Sequence, residues 1–478
     1  MVDLFNPDYI KDDLLPYIEK NKERLFINEK LFTIYEGQIY NVLAEKVRAD
    51  LGDKTFARAK ERMVTINILE RLIDKISKIY QQEPKRTVVG GSEKDKKILE
   101  RFEDLLDINK KLNLNNELFN LYQYSLLQIG MNDGKPFVRS TPNHKFLIKN
   151  ESQADESSAD VIIIMMNKGI DEQGTYETYW AYSDLQFVIF DSRGVIRADE
   201  MAEMGQDGFI PYEKKPFLYL NRSNNLVMPL EQVDSLNMAL LIPLLLTDTA
   251  YIAKYTAFSI LYGVDVDDAD MVMAPNAFWN FKSDPESDKA PSVGVIKPEG
   301  DIDKLINLAI THLEMWLNTK GIKPSSMGNV TTTNVSSGIA KLIDEADITD
   351  LRKAQVMIYK KMEFDFWELL LKKIYPFWKE QGLIDDFGTF SPTAYVSVDF
   401  EPQAPMFDRN SMVDTVIKEL QAGLTTKRRA LMDLNPGIAD DELDMLVQEI
   451  KDEELIEVIQ YGTQQDRNQT DSTNTEEL

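Results

Sequence analysis

The 478 residues carry 54 Lys and Arg against 80 Asp and Glu, a formal charge of −26, with 43% hydrophobic content and 22 Phe, 19 Tyr and 5 Trp. That is ample for the core of two or three domains or one elongated subunit, and it excludes wholesale disorder. Cysteine is absent, which removes disulfides, thiolate nucleophiles and Cys-ligated zinc and fits a reducing cytoplasm; the acidity argues against tight, extended DNA binding, which needs Lys and Arg against phosphates.

In chain order, the start, MVDLFNPDYIKDDLL, lacks the basic flank and apolar run of a signal peptide. Residues 1–85 read as helical: Leu14 to Leu25 and Phe56 to Tyr80 place apolar residues three and four apart, among them Ile66, Leu69, Leu72, Ile73, Ile76 and Tyr80. Pro84 and the pair Gly90-Gly91 close that element. Two more helices are expected within 93–131, one carrying Phe102, Leu105 and Leu106 and one running from Leu118 to Leu127. From Lys135 to Tyr219 the pattern changes to β-branched and aromatic runs, VIIIMM (161–166), TYETYWAY (175–182) and LQFVIF (185–190). Gly169, Gly174 and Arg193-Gly194 act as turns, and the antiparallel sheet ends near PFLYL (216–220).

A helix over 229–262, broken or bent at Pro243, follows. Its apolar part is interrupted by Asp248 and Lys254, whereas a spanning helix wants about 20 nearly uncharged residues, so it reads as buried or between subunits. Residues 263–300 are short extended pieces between Asp, Ser, Pro and Gly. Residues 301–320 then give the clearest amphipathic pattern: Ile302, Leu305, Ile306, Ala309, Ile310, Leu313, Trp316 and Leu317 on one face, Asp303, Asn307, Thr311, Glu314 and Asn318 on the other. The polar stretch KPSSMGNVTTTNVSSG (323–338) has nothing to pack a core, and loops of that length are functional or disordered. It opens a helix near Ile339, with Ser336 or Ser337 as N-cap, continuing to Tyr375, where Pro376 interrupts. Beyond come a strand at 394–400, helices near 410–422, 425–433 and 440–460, and a final polar segment expected to be disordered.

Catalytic motifs are missing. There is no GxxxxGK[ST], GxGxxG, HExxH or GxSxG, and the two histidines, His144 and His312, read as structural. DVDDAD (265–270) lacks the fifth-, sixth- and twelfth-position residues of an EF-hand loop, so an acidic turn is the better account. Paired carboxylates could build a two-metal nuclease site, but none of the 80 shows a distinctive spacing.

Four stretches in order nevertheless resemble the portal proteins of tailed bacteriophages, closest to those of siphophages of Gram-positive hosts. They are NILERLIDKISKIYQQEP (67–84), GVDVDDADM…VGVIKPEGDIDKL (263–305), GIKPSSMGNVTTTNVSSGIAKL (321–342) and the region from FEPQAPMFD (400–408) through NPG to the acidic helix ending at 453. Together they cover about half the chain. The resemblance implies an α+β, mainly α portal fold. Residues 1–240 and 339–440 would form the wing, 241–262 and 301–320 two stem helices, and 263–300 the clip. Residues 321–338 would be a tunnel loop, and 441–478 a crown helix with a disordered tail. It further implies a non-enzymatic ring subunit, probably of twelve copies, at one capsid vertex of the virion, assembled in the host cytoplasm. Double-stranded DNA would pass through it without sequence recognition. Its partners would be the terminase large subunit, major capsid and scaffolding proteins and a head-completion adaptor, with no cofactor, metal or membrane.

Under that resemblance Lys320 and Lys323 flank the loop as phosphate contacts. Ser325, Ser326, Asn329, Thr331, Thr332, Thr333, Asn334, Ser336 and Ser337 offer short polar side chains to a DNA backbone. Phe278, Trp279 and Phe281 are adaptor or terminase anchors. The plainer readings are a solvated Lys at a helix end, an ordinary disordered connection and a buried β core. Other virion or scaffolding proteins, or a metal-dependent DNA-processing enzyme, are the alternative functions.

Overall fold

The computed structural model describes residues 2–132, 134–152, 158–171, 174–203, 207–223, 225–257, 260–264, 292–296, 301–324, 338–400, 409–435 and 443–451. Its helices are α1 (Pro7–Tyr9), α2 (Leu15–Lys20), α3 (Lys22–Thr33), α4 (Ile39–Ala59), α5 (Ile68–Ile76), α6 (Glu93–Leu106), α7 (Ile108–Tyr122) and α8 (Ala198–Glu203). They continue with α9 (Val233–Ala257), α10 (Ile302–Thr319), α11 (Gly338–Leu369), α12 (Tyr375–Glu380), α13 (Arg409–Gln421) and α14 (Lys427–Leu434). Strands are β1 (Lys85–Val89), β2 (Tyr124–Asn132), β3 (Lys135–Thr141), β4 (Phe146–Lys149), β5 (Val161–Asp171), β6 (Gly174–Tyr182), β7 (Phe187–Asp191), β8 (Phe217–Asn221), β9 (Ile260–Val264), β10 (Ser292–Ile296) and β11 (Tyr395–Asp399). The class is α+β and mainly helical, as expected. All strand pairs are antiparallel, in sheets ordered β3-β2-β8 and β4-β5-β6-β7 and in the pairs β1-β11 and β9-β10.

Several expected boundaries move, each for a local reason. The helix expected from Phe56 to Tyr80 is interrupted at 63–67. Asn67 restarts it by accepting a hydrogen bond from the Glu70 N–H at 3.2 Å, and Ile66, placed on the apolar stripe, is 49% exposed. The helix expected to reach Leu127 stops at Tyr122. Gln123 takes a left-handed conformation (φ 68°) and β2 follows. Leu126 packs in one hydrophobic cluster and Leu127 in another. A strand buried on both faces loses the alternation that marks strands, so its apolar run imitates a helix. β1 was not expected; it pairs with β11, which was.

Gly169 is not a turn but lies inside β5, opposite Tyr176 of β6. A Cβ there would sit 2.4 Å from the tyrosine ring, so glycine serves close approach rather than chain reversal. Gly174, with φ +109°, does make the turn.

Proline is tolerated better than expected. α9 continues through Pro243 and ends at Ala257, and β9 begins at Ile260 inside the stretch expected to be helical. The long helix does not stop at Pro376. A π-helical segment, Leu370–Ile374, follows α11, and Pro376 sits in the first turn of α12. Pro16 follows the π segment Ile10–Leu14 in the same way. The wider π turn carries an extra residue, which takes the carbonyl that a proline ring would strike out of its path.

The chain divides into two units, Met1–Thr332 with Asp347–Glu401, and Thr333–Ala346 with Pro402–Leu478. The first has two hydrophobic clusters. One gathers the N-terminal helices, the four-stranded sheet and the ends of α9 and α10. The other gathers α6, α7, the three-stranded sheet, α11, α12 and β11. Inside the second, fully buried Glu363 (0% exposed) receives Arg86 Nε at 2.6 Å and the Tyr80 hydroxyl at 2.8 Å. Arg86 also reaches Glu103 at 3.1 Å. The side chains of Asn116 and Asn120 donate to Gln355 Oε1 at 2.8 and 3.2 Å, and the Tyr359 hydroxyl donates to Asn115 Oδ1 at 3.0 Å. These bonds hold α11 to β1 and α7 across more than 230 residues of sequence. In the second unit α13 and α14 pack together, with Val416, Ala430 and Leu443 buried and Arg428 paired to Asp444 at 2.9 Å.

Candidate stalk and its flanking cations

Two helices and a strand pair make the feature on which the sequence-level candidates converge. At about 1.5 Å per residue, α9 is about 37 Å long and α10 about 27 Å. They pack against each other, and the chain passes from α9 into β9 and returns through β10 to α10. β9 and β10 pair in register from Ile260↔Ile296 to Val264↔Ser292. The result is a helical stalk leading into a strand pair.

Local chemistry sets both ends of α10. At the start, the Asp301 side chain accepts from the Lys304 N–H at 3.2 Å. At the end, the Gly321 N–H reaches Asn318 O and the Ile322 N–H reaches Leu317 O, each at 3.0 Å. That is a Schellman closure, with Gly321 at φ +73° and Ile322 buried in the same cluster as Leu317. It places Lys320 at the helix C-cap, where a cation meets the negative end of the macrodipole.

The stripe predicted on α10 is only partly covered. Ala309, Trp316 and Leu317 are buried, Ile302, Leu305, Ile310 and Leu313 are half-buried, and Ile306 is 37% exposed. Leu308 and Met315, outside the predicted stripe, are 44% and 62% exposed. Seven residues apart, they lie on one exposed face of the helix, with Thr311 and His312 between them. α9 behaves similarly. Over Val233–Ala253 it is long and apolar enough to cross a membrane, with a mean hydropathy of 1.5, yet only 33% of that window is buried. Thr247 on it accepts from the Val64 N–H at 3.0 Å, and Asp248 has its pKa raised by burial and then by Asp50.

Lys320 Nζ lies 2.7 Å from Asp234 and 3.2 Å from Gln232 Oε1, and Lys323 Nζ lies 3.7 Å from Asp347. The lysines predicted as phosphate contacts are therefore each drawn to a carboxylate of the chain itself. Both partners were missed. The available signal was Asp234 in the first turn of a helix, which alone does not name a distant lysine. Ser325, Ser326, Asn329, Thr331, Thr332, Thr333, Asn334, Ser336 and Ser337 lie outside the described residues, as do Phe278, Trp279 and Phe281.

Among the described residues no group of three or more His, Asp or Glu is placed to hold a metal ion. His312 is half-buried on α10. The His144 ring lies tilted at 47° against Phe32 with centroids 5.0 Å apart, and burial, then Lys145, push its pKa down to about 4.

Compared with known proteins, the sequence matches no family model and no curated protein.

Proposed function

We propose that this chain is the portal subunit of a tailed bacteriophage, forming a ring at one capsid vertex through which DNA is packaged and ejected. The observation that carries the proposal is the antiparallel α9–α10 stalk, which leads into a strand pair, with Leu308 and Met315 exposed on α10 and much of α9 only half-buried. A soluble subunit that exposes such residues gains about 25 cal/mol for each Å² it buries against a neighbour. Copies related by a heterologous contact that closes produce a ring. In this reading residues 241–262 and 301–320 are the stem, 263–300 the clip and 321–338 the tunnel loop, with the wing before and after them and a crown after 441.

The cation pairing supports passage rather than grip. With Lys320 and Lys323 each facing a carboxylate, duplex sliding past the loop would release few counterions and be held weakly. The charge of −26, multiplied around a ring, has the same sense. The subunit has no catalytic role in this proposal. Terminase, adaptor, capsid and scaffolding proteins are its proposed partners, and the virion is its location.

Negative-stain microscopy of the purified chain tests the proposal. Rings of about twelve subunits with a central channel are expected. Monomers only, open polymers, or divalent-metal-dependent DNA cleavage lost on Asp or Glu substitution would each overturn it.

A further inference from the structure

We propose that a cleft in the first unit is a docking groove for an acidic peptide segment bearing apolar anchors. The inference does not depend on the portal reading. The cleft has a volume of about 1170 Å³, above the roughly 300–1,000 Å³ of small-molecule pockets, which points to a length of polymer rather than a metabolite. One wall is the β2–β3 hairpin. Its cross-strand pairs are Gln128↔Arg139, Gly130↔Phe137 and Asn132↔Lys135. Opposite stand β6, β7, the segment Ile210–Tyr212, and Phe377 and Trp378 of α12.

Charge identifies the occupant's sign. None of the described residues lining the cleft is Asp or Glu, in a chain where 80 of 478 residues are. Its two charged residues are Lys135 and Arg139, both exposed, and neither is in an ion pair among the described residues. Arg139 Nε donates to Gln128 Oε1 at 2.7 Å, which fixes the guanidinium fork on that wall. Lys320, by contrast, is already met by Asp234. A groove whose described lining carries two cations and no carboxylate, on so acidic a protein, suits a carboxylate from elsewhere.

The aromatic residues decide between peptide and nucleic acid. Stacking nucleobases requires free ring faces. Here Tyr182 and Phe187, stacked at 4.6 Å, are both buried and offer no free face, while Trp180 meets Phe187 edge-on at 5.8 Å and Tyr212 meets Phe377 edge-on at 5.4 Å. Phe137 lies across Gly130, where a Cβ would sit 2.3 Å from the ring. Rings locked in this way form a preorganised apolar wall for aliphatic or aromatic side chains. Two cations would also neutralise little of a phosphate backbone.

A random dodecapeptide display library, panned on the full chain and on its Lys135→Glu/Arg139→Glu variant, is the test. Both substituted positions are exposed, and an unchanged melting temperature would confirm that the variant folds; the single Lys135→Glu variant is the fallback. Clones enriched on the wild type should combine Asp or Glu with Phe, Trp, Tyr or Leu and should be lost on the variant. A synthetic peptide from the most enriched clone, titrated by tryptophan fluorescence, should bind the variant at least tenfold more weakly. Replacing its acids with Lys should weaken binding to the same degree. No enrichment, enrichment without acidic residues, or equal binding to both proteins overturns the proposal. So does displacement of the peptide by a twelve-nucleotide oligothymidylate at comparable concentration, which would make the groove a nucleic-acid site.

Discussion

The interior around Glu363 and the stalk formed by α9 and α10 follow opposite rules. Around Glu363 the buried charge meets Arg86 and Tyr80, and α7 and α11 exchange amide and hydroxyl bonds within one chain. On the stalk the same chain leaves Leu308 and Met315 exposed and much of the apolar window of α9 only half-buried. A buried charge costs several kcal/mol unless it is paired, so the interior must be complete in each copy. Apolar surface costs only in proportion to its area, and it can wait for another molecule. One chain pairs the buried charge at Glu363 for itself and leaves apolar residues of the stalk exposed.

The largest expected effect tests the first half of that contrast. Glu363→Gln removes the charge facing buried Arg86 and should lower unfolding free energy by about 3–5 kcal/mol in urea denaturation. Replacing both partners with apolar residues of similar volume should cost less; equal costs would mean that pairing does not define this interior. The next test sits within α10. Trp316→Ala empties a buried site and should cost about 3–5 kcal/mol. Met315→Ala, one residue earlier, should leave a single copy within about 0.5 kcal/mol. Gly321→Ala imposes a left-handed conformation on a residue with a Cβ and should cost about 1–2 kcal/mol by calorimetry.

His144 gives a smaller, pH-dependent effect. Its folded pKa of about 4 lies below an unfolded value near 6.5. Neutral His144 therefore contributes stability that is complete above the unfolded value and is lost as pH falls from about 6.5 to 4. Allowing for solvent screening, the change should be about 1 kcal/mol. His144→Leu should flatten the melting temperature over that window, and an unchanged slope would remove the assignment.

The sequence made some of this contrast readable and hid the rest. The amphipathic period of 301–320 predicted α10 within a residue at each end, because Asp301 and Gly321 punctuate it. The strands over 161–190 were readable because they are rich in β-branched and aromatic residues and are bounded by turns. β2 was not, since burial on both faces erased its alternation. Helix persistence past Pro376 was hidden because a π-helical turn precedes that proline. At the candidate site, Lys320 and Lys323 stood out in the sequence, but Asp234 and Asp347 did not. Partners 86 and 24 residues away leave no local signal. The docking cleft is assembled from four separated segments, and the lack of acids among its described residues is visible only once they are together.

The most direct measurement of the central claim is sedimentation velocity on the wild type and on a Leu308→Glu/Met315→Glu variant at matched concentrations. The account predicts closed oligomers for the wild type, and for the variant monomers with an unchanged melting temperature. A monomeric wild type, or a variant that assembles equally well, would contradict it.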